Sequence, residues 1–186
     1  MRNYVIVDLE ATCWEGCRPA EMEIIEIGAV LLSGIHLQPV WDYEQFVHPL
    51  ENPKLTEFCR ELTGIKQNQI DQAPDFPEAF SNFLKMIGPE PFKLCSWGEF
   101  DHELFLIECK RHSISMPDNT VDFINLKKLF SDIYDTKRSI GLRQAMRKLN
   151  MTFEGRHHRG IDDARNIARI AQQLLIPDLQ VMSKEK

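Results

Sequence analysis

A short apolar run near the N-terminus ends in two carboxylates, and this pattern restricts the fold more than any other feature. Residues 4–7 read Tyr-Val-Ile-Val, which predicts a buried β-strand, and Asp8 and Glu10 follow. Because side chains two residues apart in a strand point to the same face, both carboxylates project together. A divalent cation would relieve their repulsion and their loss of water, and oxygen ligands suit Mg²⁺ or Mn²⁺. The alternative is an acidic strand end in solvent.

Two more carboxylates fall at predicted helix starts. Residues 92–97 predict another strand, and Asp101 lies in the first turn of the helix predicted after it. The apolar stripe of residues 161–175 predicts a further helix, with Asp163 in its first turn. The helix dipole also favours an acid there, so either residue alone could be a simple helix-start residue. The four carboxylates together indicate a metal site.

A histidine precedes the last predicted helix. His158 lies five residues before Asp163, in a glycine-containing segment. The ordinary pKa of histidine, about 6.5, suits a general base that takes a proton from water near neutrality. A lone loop histidine is usually only an exposed residue, and the carboxylates favour the catalytic interpretation here. We expect His157 to be an exposed neighbour and Asp162 to be a helix N-cap.

These motifs resemble those of the DEDDh 3′-to-5′ exonucleases, a branch of the ribonuclease-H-like superfamily. The similarity runs from Tyr4 to about Leu175, and no member of the five-residue set is missing. The family motifs read Asp8-Leu-Glu10, Phe100-Asp101 and His158-(four residues)-Asp163. Four segments look most like the Eri-type exoribonucleases, which include the histone-mRNA 3′ exonuclease. They are residues 8–14, 23–28, 62–65 and 160–170.

The predicted elements and the resemblance indicate the same α/β fold. Early strands followed by alternating strands and helices favour a mixed central β-sheet with helices on both faces, as in ribonuclease-H-like proteins. We expect one exonuclease domain over residues 1–176 and a C-terminal tail at 177–186. The predicted strands are 4–9, 23–32, 40–47, 92–97 and 119–123. The predicted helices are 55–63, 76–87, 100–112, 124–134, 140–149 and 161–175.

The resemblance implies a two-metal hydrolysis. Two Mg²⁺ or Mn²⁺ ions, roughly 3.5–4 Å apart, would flank the scissile phosphate. Glu10 would also touch the attacking water, and His158 would be the general base. The expected substrate is the 3′ end of single-stranded RNA, or of DNA, and the expected products are nucleoside 5′-monophosphates. The implied metal ligands are Asp8, Glu10, Asp101 and Asp163.

The resemblance also implies substrate contacts. The backbone of Ala11 and Thr12 would lie against the terminal nucleotide, and the turn at residues 62–65 would hold its base. Stacking on apolar side chains tolerates any base. The alternative is that Leu62 and Ile65 only close a helix against the core, with Gly64 as its cap. The implied base contacts are Leu62, Thr63 and Ile65, and Trp14 is a further candidate. Trp97 is expected in the core.

The charge of the chain is unevenly distributed. A net charge of −6 argues against strong binding of nucleic acid by the molecule as a whole. Residues 137–169, however, carry nine Lys and Arg against three Asp and Glu. A phosphate backbone would enter here, and Arg156 and Arg159, which flank His158, are the predicted phosphate contacts. An ordinary solvated helix face remains the alternative for Arg143, Arg147 and Lys148.

Two alternative functions stay open. The chain could be a DNA proofreading or repair exonuclease, since no residue reads the 2′-hydroxyl unambiguously. It could also be a non-catalytic relative that binds nucleic acid, although the intact carboxylate set argues against this. The sequence has no apolar span of about 20 residues that would indicate a membrane helix, and it leaves protein partners unknown. Five scattered cysteines predict a reducing cytoplasm, and Cys13 and Cys17 lack a second pair for zinc.

Overall fold

Five β-strands form one mixed sheet in the computed structural model of the protein, which describes residues 3–34 and 36–176. The strands are β1 (Asn3–Ala11), β2 (Ile24–Leu32), β3 (Pro39–Phe46), β4 (Phe92–Ser96) and β5 (Thr120–Asn125). Their order across the sheet is β3-β2-β1-β4-β5. The first three pair antiparallel, whereas β4 runs parallel to both β1 and β5.

Within the described residues, seven α-helices and one 3₁₀ turn (Pro19–Glu21) surround the sheet. The helices are α1 (Glu57–Thr63), α2 (Gln67–Asp71), α3 (Phe76–Ile87), α4 (Phe100–Arg111), α5 (Leu126–Ile133), α6 (Leu142–Lys148) and α7 (Gly160–Leu174). None of the helices in this part of the chain has the length and apolar character to cross a membrane.

The predicted ribonuclease-H-like fold class is confirmed, and each predicted element is present with its ends moved by a residue or two. Helix α2 and the 3₁₀ turn were not predicted, because such short segments show no hydrophobic period. Helix α7 begins at Gly160, so Asp162 lies inside its first turn and is not the N-cap that the sequence predicts. The predicted tail at 177–186 lies outside the described residues.

Each face of the sheet is covered by its own apolar layer. Alternate residues of β1 serve the two layers, because successive side chains in a strand point to opposite faces. Val5 and Val7 pack with the phenylalanines of α3 and α4, whereas Ile6 packs with α5, α6 and α7. The side chains of Asp8 and Glu10 continue the Ile6 face, so both point toward the side of the sheet that carries α7.

Helix α7 approaches the sheet at two glycines. Gly28 lies directly opposite Asp8 in the pairing of β2 with β1. A Cβ atom on Gly28 would overlap the backbone of Gly160, and a Cβ atom on Gly160 would lie 2.8 Å from the backbone oxygen of Asp8. The first turn of α7 can therefore reach the strand that bears Asp8 and Glu10 only because both positions lack a side chain.

We expect Gly28→Ala to lower the free energy of unfolding by about 3 kcal/mol, since overpacking a site with rigid backbone on both sides forces the elements apart. Urea unfolding followed by circular dichroism measures this loss. Gly141→Ala is the matched control, because a Cβ atom there meets nothing within 4 Å. Equal unfolding midpoints for the two variants would contradict the close approach of α7 to β2.

Candidate active site

Four carboxylates meet at one edge of the sheet. Asp8 and Glu10 lie near the end of β1, and Asp101 lies in the first turn of α4, which follows β4 after a short turn. Because β1 and β4 are parallel, their carboxyl ends share this edge. The first turn of α7 brings Asp163 to the same place. The structure thus assembles the four carboxylates that the sequence predicts.

The carboxylates are close together and mostly buried. Ligand oxygens of Asp8, Glu10 and Asp163 all lie within 4.8 Å of one another. Glu10 is 8% exposed and Asp163 is 2% exposed, whereas Asp8 is partly buried. Asp101 is buried too, and its Oδ1 accepts a hydrogen bond from the backbone N–H of Leu9 at 2.9 Å. This bond fixes the start of α4 against β1.

Burial raises the pKa of every one of these carboxyl groups. The pKa of Glu10 rises to about 9, through burial and then through the charge of Glu26. The pKa of Asp101 rises to about 6, again mainly through burial. For Asp8, burial raises the pKa most, and the charges of Asp101 and Asp163 raise it further. Burial also raises the pKa of Asp163.

The residues at this edge fit a divalent cation. Among the described residues that line the groove around the carboxylates, there is no lysine or arginine to compensate the charge. The available donors are carboxylate oxygens, which suit Mg²⁺ and Mn²⁺ rather than zinc. These carboxylates repel one another, are poorly solvated and have no lysine or arginine beside them in the groove lining. A bound metal ion stabilises such a group of carboxylates.

Two adjacent histidines surround Asp163. The backbone N–H of His158 donates to Asp163 Oδ2 at 2.6 Å, with His158 in the left-handed region at φ 63°. His157 Nδ1 lies 2.7 Å from Asp163 Oδ1, and the two imidazole rings stack at 4.0 Å. Both histidines line the groove. Burial and the neighbouring His157 lower the pKa of His158, which favours the neutral imidazole that a general base requires.

The expectation that His157 is only an exposed neighbour is therefore wrong. Its contact with Asp163 depends on the path of the 155–159 loop, in which Gly155 and His158 both have positive φ. Asp162 shapes the same loop, because its Oδ2 accepts from the backbone N–H of Arg156 at 2.9 Å. Nothing in the order of the residues alone distinguishes His157 from an exposed loop residue.

Glu26 is a buried carboxylate of the site that the sequence analysis missed. It is 0% exposed and stands opposite Glu10 in the pairing of β1 with β2. Its oxygens accept from the backbone N–H groups of Gly160 at 3.2 Å and Ile161 at 3.3 Å, and from Arg159 Nε at 3.2 Å. It therefore satisfies free amides at the start of α7. The sequence signal that could have revealed Glu26 is that it is the single charged residue in an otherwise apolar strand.

Neither of the two predicted phosphate contacts, Arg156 and Arg159, lines the groove. The Arg159 guanidinium pairs with Glu26 and Glu44 and lies 5.3 Å from the centre of the Phe46 ring. Arg156 donates to the backbone oxygen of Glu61 at 3.1 Å. The structure thus uses Arg159 to anchor α7 to β2 and β3, and it does not support the predicted phosphate contact.

Of the implied substrate contacts, Ala11 and Leu62 line a groove of about 400 Å³. The other three side chains are buried elsewhere. Thr12 exchanges hydrogen bonds with the backbone of Glu23, through its N–H at 2.8 Å and its Oγ1 at 3.0 Å. Ile65 belongs to an apolar cluster under α1 and α2. Ile65 as a nucleotide contact is therefore a correction to the sequence analysis, whereas the contact predicted for the backbone of Thr12 is not contradicted by the burial of its side chain and stays a prediction.

Thr63 requires the same correction. Its hydroxyl donates to the backbone oxygen of Cys59 at 2.9 Å and accepts from the N–H of Ile65 at 3.1 Å. Gly64, with φ 71°, ends α1 in the left-handed conformation. The alternative in which this turn closes a helix against the core is correct for Thr63 and Ile65, whereas Leu62 faces the groove.

Two aromatic side chains form part of the groove wall. Trp97 packs edge-on against Phe130 at 5.7 Å, as a core residue would, and donates from Nε1 to the backbone oxygen of Ile140 at 3.2 Å. Phe100 is 40% exposed beside Asp101. The sequence indicates Phe100 only as a motif residue, although an aromatic side chain next to a buried carboxylate of the groove is a natural base contact. Trp14 is absent from the described groove lining.

The metal-free protein should lose stability as the pH rises. A carboxyl group whose pKa is higher in the folded than in the unfolded chain stabilises the fold fully below the unfolded pKa, near 4.5 for Glu10. That contribution disappears as the pH rises toward the folded pKa of Glu10, about 9. We therefore expect the Tm in EDTA to fall between pH 6 and 9 more steeply than in Mg²⁺, which compensates the charges.

Thermal unfolding by circular dichroism measures the Tm against pH in EDTA and in Mg²⁺. Subtracting one curve from the other removes the contribution of titratable groups that do not bind metal. Asp8→Asn provides the control, because it removes one of the repelling charges and should flatten the EDTA curve. Parallel curves in EDTA and Mg²⁺ would contradict a cation site at these carboxylates.

Comparison with known proteins agrees with this geometry. The RNase_T exonuclease family model matches residues 5–171. The 3′-5′ exoribonuclease 1 of Rattus norvegicus is 38% identical over 192 residues, which cover 97% of this chain and 55% of the rat protein. The chain thus spans little more than half the length of that relative.

Two solved structures have the same fold. The nuclease domain of 3′hExo, a DEDDh family member bound to rAMP, is 37% identical with a TM-score of 0.84, over 93% of this chain and 91% of that one. The 3′-exonuclease that recognises the histone mRNA stem-loop gives the same identity and TM-score, over 93% of this chain and 63% of that one. The chain belongs to the RNase_T family of exonucleases, as a DEDDh member of Eri type.

Proposed function

We propose that this chain is a 3′-to-5′ exoribonuclease that hydrolyses the terminal phosphodiester of single-stranded RNA and releases nucleoside 5′-monophosphates. One observation carries the proposal: oxygens of Asp8, Glu10 and Asp163 lie within 4.8 Å of one another, beside His158 in an open groove. The exoribonuclease relatives support RNA over DNA as the substrate.

The groove provides distinct roles for its residues. Two divalent cations, Mg²⁺ or Mn²⁺, held by the four carboxylates would lower the pKa of water and stabilise charge on the phosphate. His158, whose pKa is lowered by burial, accepts the proton of the attacking water. Glu10 orients that water from β1. Leu62, Trp97 and Phe100 hold the terminal base by apolar contact, which favours no particular base.

The chemistry of the cysteines favours a reducing compartment, and we propose the cytoplasm. All five thiols are free: Cys13, Cys17, Cys59, Cys95 and Cys109. Burial raises the pKa of Cys109 to about 11, which keeps that thiol protonated and unreactive. Three of the five are buried in the fold and contribute as small apolar side chains. Fractionation of cells that express the tagged chain tests this location.

The function is tested with 5′-labelled single-stranded RNA and a DNA of the same sequence, each incubated with Mg²⁺, Mn²⁺ or EDTA. We expect a metal-dependent ladder that shortens from the 3′ end, faster on RNA than on DNA. Asp8→Asn should abolish the ladder while the fold remains intact, since it removes a metal ligand and also relieves charge repulsion. Faster cleavage of DNA would favour a DNA exonuclease, and no cleavage with bound metal would favour a binding protein.

We expect His158→Ala to lower kcat by about 10²- to 10⁴-fold, because the water loses its proton acceptor. Metal binding, measured by calorimetry, should be unchanged, since His158 is not one of the carboxylate ligands. The exposed His36 provides the matched control, and His36→Ala should retain the full rate. A His158→Ala variant that cleaves RNA at the full rate near neutral pH would refute the general-base role.

A further inference from the structure

The basic stretch at residues 137–169 divides into two halves in the structure. In the second half, three of the four arginines have acidic partners within the protein, whereas the fourth, Arg156, is exposed and donates to the backbone oxygen of Glu61. Arg165 pairs with Asp42 and Asp162, and Arg169 pairs with Glu154 at 3.1 Å. Arg159 is paired with glutamates of β2 and β3, as described above. Their charge is largely compensated and contributes little to the attraction of an anion.

The first half is different. It carries five exposed cations that form no ion pair with any residue in the ranges 3–34 and 36–176. No acidic residue occurs between positions 136 and 153. We name this the α6 cation surface, and its members are Lys137, Arg138, Arg143, Arg147 and Lys148.

Like charges crowd on this surface. Arg143 and Arg147 are one helical turn apart, an arrangement that costs free energy when both are cationic. The i,i+4 spacing places the two side chains on one face of α6, and the Nε of Arg147 donates to the backbone oxygen of Arg143 at 3.3 Å. Leu142, Ala145 and Met146 are buried against the sheet layer, so α6 is fixed with this face toward solvent.

The α6 cation surface adjoins the active-site groove. Gly141 and Leu142 line the groove, and the preceding Ile140 accepts the hydrogen bond from Trp97. Arg138 and Arg143 stand on either side of this wall segment in the chain. A strand that leaves the groove over residues 140–142 therefore passes directly onto uncompensated positive charge.

We propose that the α6 cation surface binds the phosphates of the RNA strand upstream of the terminal nucleotide. This inference rests on the proposed exonuclease function and extends it to the path of the substrate. Charge complementarity supports it, because the five cations of the surface are exposed and no acidic residue between positions 136 and 153 compensates them. Exposed Lys and Arg contact phosphates without reading base identity.

The test compares two double variants with the same change in net charge. Arg143→Gln/Arg147→Gln removes two cations of the surface, and Arg165→Gln/Arg169→Gln removes two paired arginines. Binding of a fluorescein-labelled 12-nucleotide single-stranded RNA is measured by anisotropy in EDTA over a series of salt concentrations. We expect the first variant to reduce the slope of log K against log salt by about 1.4, at about 0.7 per phosphate contact on a single strand.

The matched variant should keep the slope of the unsubstituted chain. Equal losses in both variants would show that only total charge matters, and unchanged slopes in both would show that the surface makes no contact; either result overturns the proposal. If Arg143→Gln/Arg147→Gln unfolds, the test is repeated with Lys137→Gln/Arg138→Gln, in the loop before α6. It should reduce the slope in the same direction.

Turnover separates this proposal from the proposed function. In Mg²⁺, the ratio of kcat/KM for the 12-nucleotide RNA to kcat/KM for a dinucleotide with a free 5′-hydroxyl should fall several-fold in Arg143→Gln/Arg147→Gln, because the single phosphate of that dinucleotide is the scissile one and none is left to contact the surface. A chain that hydrolyses neither substrate would refute the exonuclease, and the anisotropy slopes would still decide the binding surface. An unchanged ratio in an active enzyme would overturn the surface alone.

Discussion

The crowding of mostly buried carboxylates at one edge of the sheet is the constraint on which the architecture depends. Asp8 and Glu10 project from one strand face, and Asp163 faces them with its oxygens within 4.8 Å. Such an arrangement persists only if rigid elements impose it, since the carboxylates would otherwise separate. The backbone N–H groups of Leu9 and His158 hold Asp101 and Asp163 in place. The free energy that this crowding costs is the origin of the affinity for cations that the site requires.

Buried acids near the groove fall into two chemical kinds. Glu23 accepts from the backbone N–H groups of Leu50 and Asn52, each at 2.6 Å, and Glu26 accepts from the start of α7 and from Arg159. Protein donors compensate the charge of these two glutamates, so they position the groove walls without needing metal. Asp8 accepts no hydrogen bond from residues 3–34 and 36–176 and can offer its oxygens to a cation. Hydrogen-bond partners therefore distinguish Glu23 and Glu26 from Asp8, although not from Asp101 and Asp163, which also accept hydrogen bonds.

The sequence predicted those features whose geometry follows from neighbouring residues. Strand alternation orients Asp8 and Glu10, and the first turn of a helix places Asp101 and Asp163, so the position of each carboxylate within its own element follows from neighbouring residues. Features that depend on tertiary contacts were missed or misassigned. Ile65 is buried by a cluster that includes Ile25. The partners of Arg159, Glu26 and Glu44, lie more than a hundred residues away in the chain.

A count of charges along the chain also ignores tertiary contacts. An arginine paired with a carboxylate and a free arginine contribute equally to such a count. At physiological salt, charges farther apart than about 8 Å are largely screened, so a phosphate senses its immediate surroundings rather than the net charge of −6. An acidic protein can therefore bind a polyanion where its cations lack partners. Arg143 and Arg147 meet this condition, whereas Arg165 and Arg169 do not. The distance of each cation from the RNA phosphates and its pairing with acidic residues, rather than the composition of the chain, decide where RNA can lie on this molecule.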